Sequence, residues 1–145
     1  MSHKPGLLRW LVLSVFVLCA CNTGKGFSVD SFDSSPADSD GAGCFFSEEA
    51  APEKQLFASG LDNCAYIAIN GRLCKLEQDT AKQVEPSKNA ADMLDVFRYE
   101  HYTIILDLKE TGPTDGGAGY KGTLTVKDNK TGKKVVKKVS GSCGC

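Results

Sequence analysis

The chain of 145 residues holds one Trp, two His and two Met, and almost no net charge. Its 17 Lys and Arg stand against 18 Asp and Glu, for −1 at neutral pH. That balance excludes a strongly basic nucleic-acid binder by bulk electrostatics. No apolar run reaches the roughly 20 residues that a membrane-spanning helix needs. Gly-x-Ser-x-Gly, His-Glu-x-x-His and a phosphate-cradling glycine loop are all missing. The acidic pairs Glu48/Glu49 and Asp92/Asp95 carry no spacing that sets two carboxylates across a glycosidic bond, and they read as solvated. The expectation is a protein that is not an enzyme, binds no nucleic acid and needs no cofactor.

What is present begins with an address. Lys4 and Arg9 form a positive head, and Leu11 to Leu18 form an apolar stretch of the length of a signal-peptide core. Leu18-Cys19-Ala20-Cys21 follows. These residues resemble the bacterial lipobox, with Leu18 at −3, the small Ala20 at −1 and Cys21 as the obligatory cysteine. Cys19 fits poorly, because Leu18 would take its −1 position. The resemblance implies cleavage between Ala20 and Cys21, diacylglyceryl transfer to the Cys21 sulfur, and acylation, for instance by palmitate, of the new amino group. Several acyl chains meet the requirement for stable membrane attachment. Asn22 replaces the Asp that favours inner-membrane retention, so in a host with two membranes the outer one is expected. Loss of Lys4 and Arg9 leaves 15 basic and 18 acidic residues, a net charge of −3; it also leaves His101 as the only histidine and no Trp.

Three segments result: a signal peptide over 1–20, the lipidated Cys21 with a disordered acidic linker over 21–43, and a folded domain over 44–145. The linker is rich in Ser, Asp and Gly, and Phe27, Val29 and Phe32 are its only large apolar residues. Too little apolar surface is available to offset the entropy of ordering it. A leash of about 22 residues has an average reach on the order of 25 Å.

The domain reads as mainly β, a small antiparallel barrel or sandwich. Asn70-Gly71 divides two alternating runs, the strongest short-range hairpin signal. A two-residue turn pairs Ile69 with Arg72, Ile67 with Cys74 and Ala65 with Leu76, placing Ala65, Ile67, Ile69, Cys74 and Leu76 on one core face. Further strands are expected over Leu56–Ala58, Leu94–Tyr99, Tyr102–Leu108, Tyr120–Lys127 and Lys134–Ser140. A glycine-rich loop is expected from Gly112 to Gly119, a turn over Asp128–Gly132, and a short helix capped by Ser87 within Glu77–Met93. Many short strands without alternating helices argue for an antiparallel sheet.

Beyond Cys21 the domain keeps Cys44, Cys64, Cys74, Cys143 and Cys145. Five cysteines cannot all pair within one chain, and a compartment outside the inner membrane permits disulfides. The hairpin register sets Cys64 about 10 Å from Cys74, beyond bridging distance. Cys74 therefore reads as a small buried apolar residue. Cys44 opens the domain and Cys143-Gly144-Cys145 closes it, so a bridge between the ends is natural; Cys64 remains a further candidate. The alternative is a thiolate metal site, Cys44, Cys143 and Cys145 around copper(I) or zinc. Redox exchange lacks the Cys-x-x-Cys helix start that lowers a thiol pKa.

Charge is uneven. Residues 121–140 hold seven Lys against Asp128 alone, a net of +6, which leaves −9 for the rest of the processed chain. Such lysines suit an anionic surface, or they block edge-to-edge strand pairing. Aromatic residues are not interleaved among them, which excludes a single-strand nucleic-acid track.

Lipobox, acidic leash, Cys-Phe-Phe at the domain start, the Asn-Gly hairpin and the Cys-Gly-Cys end together resemble small envelope lipoproteins. They also resemble the membrane-bound inhibitors of C-type lysozyme, small antiparallel barrels on a lipid tether whose ends are joined by a disulfide. That family's inhibitory Ser-Gly-Ala-x-Tyr is matched by Gly117-Ala118-Gly119-Tyr120, with Gly116 in place of the Ser. Its later Trp-x-Lys-Gly element has no counterpart. The resemblance implies a non-catalytic protein of the envelope that binds a macromolecule, with a glycan hydrolase as one candidate and Ala118, Tyr120 and Lys121 as contact residues. A metal-handling lipoprotein and a structural envelope component are the alternatives.

Overall fold

A computed structural model of the chain describes residues 26–33, 42–60, 64–82 and 91–144. The expected signal segment and lipobox with Cys21, residues 22–25 and 34–41 of the expected linker, and Cys145 lie outside them. Nine strands occur among the described residues: β1 (Val29–Asp30), β2 (Gly43–Glu48), β3 (Ala51–Ser59), β4 (Ala65–Ile69), β5 (Arg72–Gln78), β6 (Met93–Tyr99), β7 (Tyr102–Thr114), β8 (Gly117–Asp128) and β9 (Lys134–Gly144). From β2 to β9 each strand pairs antiparallel with the next. The last strand pairs with the first, Gly43 to Gly144 through Glu48 to Val139. The result is a closed eight-strand up-and-down barrel, which removes the exposed edges that an open sheet would leave.

The core is the lumen. In a barrel of eight strands the inward side chains are enough to fill the interior. Phe46, Phe57, Ile67, Ile104, Leu106, Leu108, Leu124, Val126 and Val139 are all fully buried. Phe46 lies against Phe57 at 6.0 Å and Phe57 against Phe97 at 5.4 Å between ring centroids. The β4–β5 hairpin forms as its sequence dictates: Ile69 pairs with Arg72, Ile67 with Cys74 and Ala65 with Leu76. Asn70 and Gly71 take the required positive φ, 52° and 72°. Ala65, Ile67, Ile69, Cys74 and Leu76 are all buried, and the Cys74 thiol donates to the Arg72 carbonyl at 3.3 Å.

The structure corrects several boundaries. The loop expected from Gly112 to Gly119 is strand on both sides of a two-residue turn, because β7 and β8 stay paired out to Thr114 and Gly117. Glycine there serves close strand approach: a Cβ on Gly117 would run into the carbonyl oxygen of Cys143. Of the expected helix, Glu77 and Gln78 belong to β5 and Thr80–Lys82 forms a single 3-10 turn, while residues 83–90 fall outside the described set.

The largest correction concerns the linker. Residues 26–33 are built into the barrel wall. β4 pairs with β3 only through Ala65 and Tyr66, and the two strands then diverge. Val29 and Asp30 enter that gap against Ile69 and Ala68, and Phe32 bridges to Gln55 on β3. Val29 is buried, and Phe27 packs against the core. The scarce apolar residues of this segment supply what the gap needs, and the ladder satisfies its backbone groups.

Candidate functional site

The barrel has two chemically distinct ends. At the first, the seam between β2 and β9 is closed covalently. Cys44 and Cys143 are direct cross-strand partners, their Cα atoms are 4.0 Å apart, and their sulfurs lie at bonding distance across 99 positions of sequence. Of the candidate cysteines, these two are brought together; Cys64 immediately precedes β4 and is not part of the pair. A disulfide takes both sulfurs out of any thiolate set, so the alternative Cys44/Cys143/Cys145 metal site loses two of its three ligands. No cluster of three or more metal-ligating side chains occurs among the described residues.

Beside this bridge stands the tip of the β7–β8 hairpin. Thr111, Pro113, Thr114, Asp115, Gly116 and Gly117 are exposed. The tip is braced on its β9 side, where Gly117 pairs with Gly144 and Ala118 with the bridged Cys143. A shallow recess of about 100 Å³ runs along that junction, between Phe45, Asp115 and Ser142. The three residues singled out as contacts do not form one surface. Ala118 and Tyr120 lie on the lumenal side of β8, Lys121 on the outer side, following the strand period of two. Tyr120 is half-buried, its ring edge-on to Phe46 at 6.4 Å, whereas Lys121 is exposed opposite Lys109 and Ser140. Asp95, nearer this end, is half-buried, and burial pushes its carboxyl above the usual range while a hydrogen bond with Gln78 opposes the rise.

At the opposite end three turns meet: Asn70-Gly71, Glu100-His101 and Asn129–Gly132. A cavity of about 340 Å³ opens there between Phe27, Asn70, Tyr102, Asp128 and Lys133. Asp128 is its one buried charge. Burial works to raise the Asp128 carboxyl, but the backbone N–H groups of Lys130 (2.8 Å) and Thr131 (3.3 Å), the Thr131 hydroxyl and nearby His101 outweigh it and hold it below the usual range. His101 Nε2 lies 3.8 Å from Asp128 Oδ1, and its ring stacks on Tyr102 at 4.2 Å. Burial, then the charges of Asp128 and Glu100, push the Tyr102 phenol up; a hydrogen bond with Asn70 opposes them.

This cluster escaped sequence reasoning. Only the turn residues Asp128–Gly132 signalled it, and they describe a turn held by its own aspartate, with Gly132 N–H donating to the Asp128 carbonyl at 2.7 Å. The carboxylate is spent on backbone donors, and the one imidazole near it is turned onto an aromatic ring. Such an arrangement fixes a turn; it does not aim an acid and a base at a common reacting atom.

No family model, curated protein or solved structure matches the chain.

Proposed function

We propose that this chain is a lipid-anchored envelope protein that carries no catalysis and presents the bridged end of its barrel to a macromolecular partner, a lysozyme-type glycan hydrolase being the leading candidate. The lipobox supplies the anchor, with cleavage before Cys21, lipid on its sulfur and, in a host with two membranes, residence at the outer one. The observation that carries the binding reading is the braced hairpin tip. Thr111 and Pro113–Gly117 stand exposed on strands that remain paired to the turn, next to a disulfide that closes the barrel seam. An exposed element that is already ordered loses little entropy on entering a partner's cleft, which is how rigid inhibitory loops gain affinity.

The tip, with Ala118 behind it, is the contact, and Lys121 flanks it on the outer wall. Tyr120 supports the tip from the lumenal side through Phe46. The test is calorimetric titration of the protein into a C-type lysozyme. Binding that is lost on Thr114→Arg and Asp115→Arg, with the thermal transition unchanged, supports the reading. Absence of binding by the unaltered protein contradicts the hydrolase, and binding insensitive to both substitutions contradicts the tip.

A further inference from the structure

We propose that the turn end of the barrel, led by Lys127, Lys130 and Lys134, rests on the anionic surface of the bilayer that carries the anchor, so that the bridged end faces away from it; the proposal rests on lipidation of Cys21. Two independent observations converge on it. The first is reach. Only five peptide units separate Cys21 from Gly26, a covalent span of at most about 18 Å. Gly26 and Phe27 share a cavity wall with Asp128 and Lys133. Phe27 is fixed there by Tyr102, ring centroids 5.2 Å apart, and the next residue is clamped to Asn70 by reciprocal backbone and side-chain bonds. An anchor on Cys21 therefore enters the protein beside the Asn129–Gly132 turn.

The second is charge. Lys127 and Lys134 are direct cross-strand partners on the outer wall, and Lys130 lies in the turn joining their strands; all three are exposed. Like charges set opposite each other on a sheet repel, and Lys109 and Lys121 form such a pair toward the bridged end. What distinguishes Lys127, Lys130 and Lys134 is that they flank the turn beside which the chain from Cys21 enters. The nearby carboxylates are engaged internally: Asp128 with its turn, Asp30 with Gly71 and Ser28, Glu48 with Lys137. Glu100 in the adjoining turn, and Glu49 and Glu53 in and just after the β2–β3 turn, are exposed acids at this end. Each lysine brought to an anionic surface adds about fivefold to partitioning, and three together add about a hundredfold.

The test is lysine footprinting of the purified mature protein on vesicles, by acetylation and peptide mass spectrometry. On phosphatidylcholine with 30 mol% phosphatidylglycerol (a composition on the order used to mimic anionic leaflets), Lys127, Lys130 and Lys134 should react at least about threefold more slowly than on pure phosphatidylcholine. Lys109 and Lys121, which face each other toward the bridged end, should not change, and high salt should erase the difference. Equal protection of Lys109, or none at the three lysines, overturns the proposal. The triple variant K127Q/K130Q/K134Q should still float with neutral vesicles, because the lipid holds it, and lose its preference for anionic ones. Intact mass separates the two ideas. A protein without lipid on Cys21 defeats the anchoring reading, and footprints of that protein then decide whether the lysines alone bind the anionic vesicles.

Discussion

The carboxylate of Asp30 accepts a hydrogen bond from the backbone N–H of Gly71 at 2.7 Å, across 41 positions of sequence. It thereby fastens the segment around β1 to the Asn-Gly turn. The Ser28 hydroxyl donates to the same carboxylate at 2.9 Å, and the Asn70 side chain accepts from the Ser28 N–H at 3.0 Å. Residues 26–33 thus form part of the barrel wall.

Removing that clasp has a defined consequence. Asp30→Ala should cost about 1–2 kcal/mol, the range for a hydrogen bond to a charged group reduced by exposure. It should also accelerate amide exchange at Gly71 and Phe32 ahead of the barrel strands. Hydrogen exchange followed by NMR reads both. Uniform protection in the variant would show that the segment is held by its apolar residues alone.

The bridge across the seam should dominate stability. Cross-linking residues 99 apart contributes up to roughly 4–5 kcal/mol in the chain-entropy treatment. Cys143→Ser, measured by urea denaturation against the oxidised protein, should lose a large part of that. The β2–β9 ladder, paired from Gly43 to Glu48, should keep the variant folded in the absence of denaturant.

The Asp128 and Asp95 carboxyls should respond to pH with opposite signs. The Asp128 carboxyl is held below its ordinary value of 3.8, so its contribution is present above that value and is lost as pH falls through its depressed folded value. Asp128→Asn should lower the thermal midpoint at pH 7, with the deficit shrinking toward pH 3. The Asp95 carboxyl is raised, so its ionisation weakens the folded state as pH climbs from 3.8 through its elevated folded value. Asp95→Asn should raise the midpoint at pH 7 and leave it unchanged below pH 3.8. Thermal melts across that range check both.

Close strand approach at Gly141 gives a further prediction. A Cβ there would meet the Phe45 carbonyl and the Phe46 ring, so Gly141→Ala should destabilise by about 1–3 kcal/mol through forced shifts in the β2–β9 seam. Gly26→Ala, where a Cβ meets nothing, should be neutral. Paired thermal melts of the two variants make the comparison.

The legible parts of the fold were the local ones. Ile67 and Cys74 are seven positions apart and joined by a turn with its own chemistry, so their pairing follows from the alternation around Asn70-Gly71. The joining of Cys44 to one of the terminal cysteines was legible because both sit at the domain's limits. What stayed hidden depends on distant partners. Val29 belongs to the core because β3 and β4 diverge opposite it, and nothing within residues 26–33 encodes that gap. Gly112–Gly119 read as a loop because Gly and Pro carry low strand propensity; the neighbouring β9, which also lacks bulk at Gly141 and Gly144, lets those residues pair. Tyr120, singled out as a contact, faces the lumen because the register of β8 is set by Leu124 and Val126 below it.

Intact mass of the protein purified from membranes, taken before and after thiol alkylation without reductant, tests the anchored barrel most directly. The account predicts a chain that begins at Cys21 with a lipid-sized increment, and with Cys44 and Cys143 resistant to alkylation. A chain that retains residues 1–20, begins elsewhere, or carries an unmodified Cys21 would contradict the anchor on which the proposed function stands.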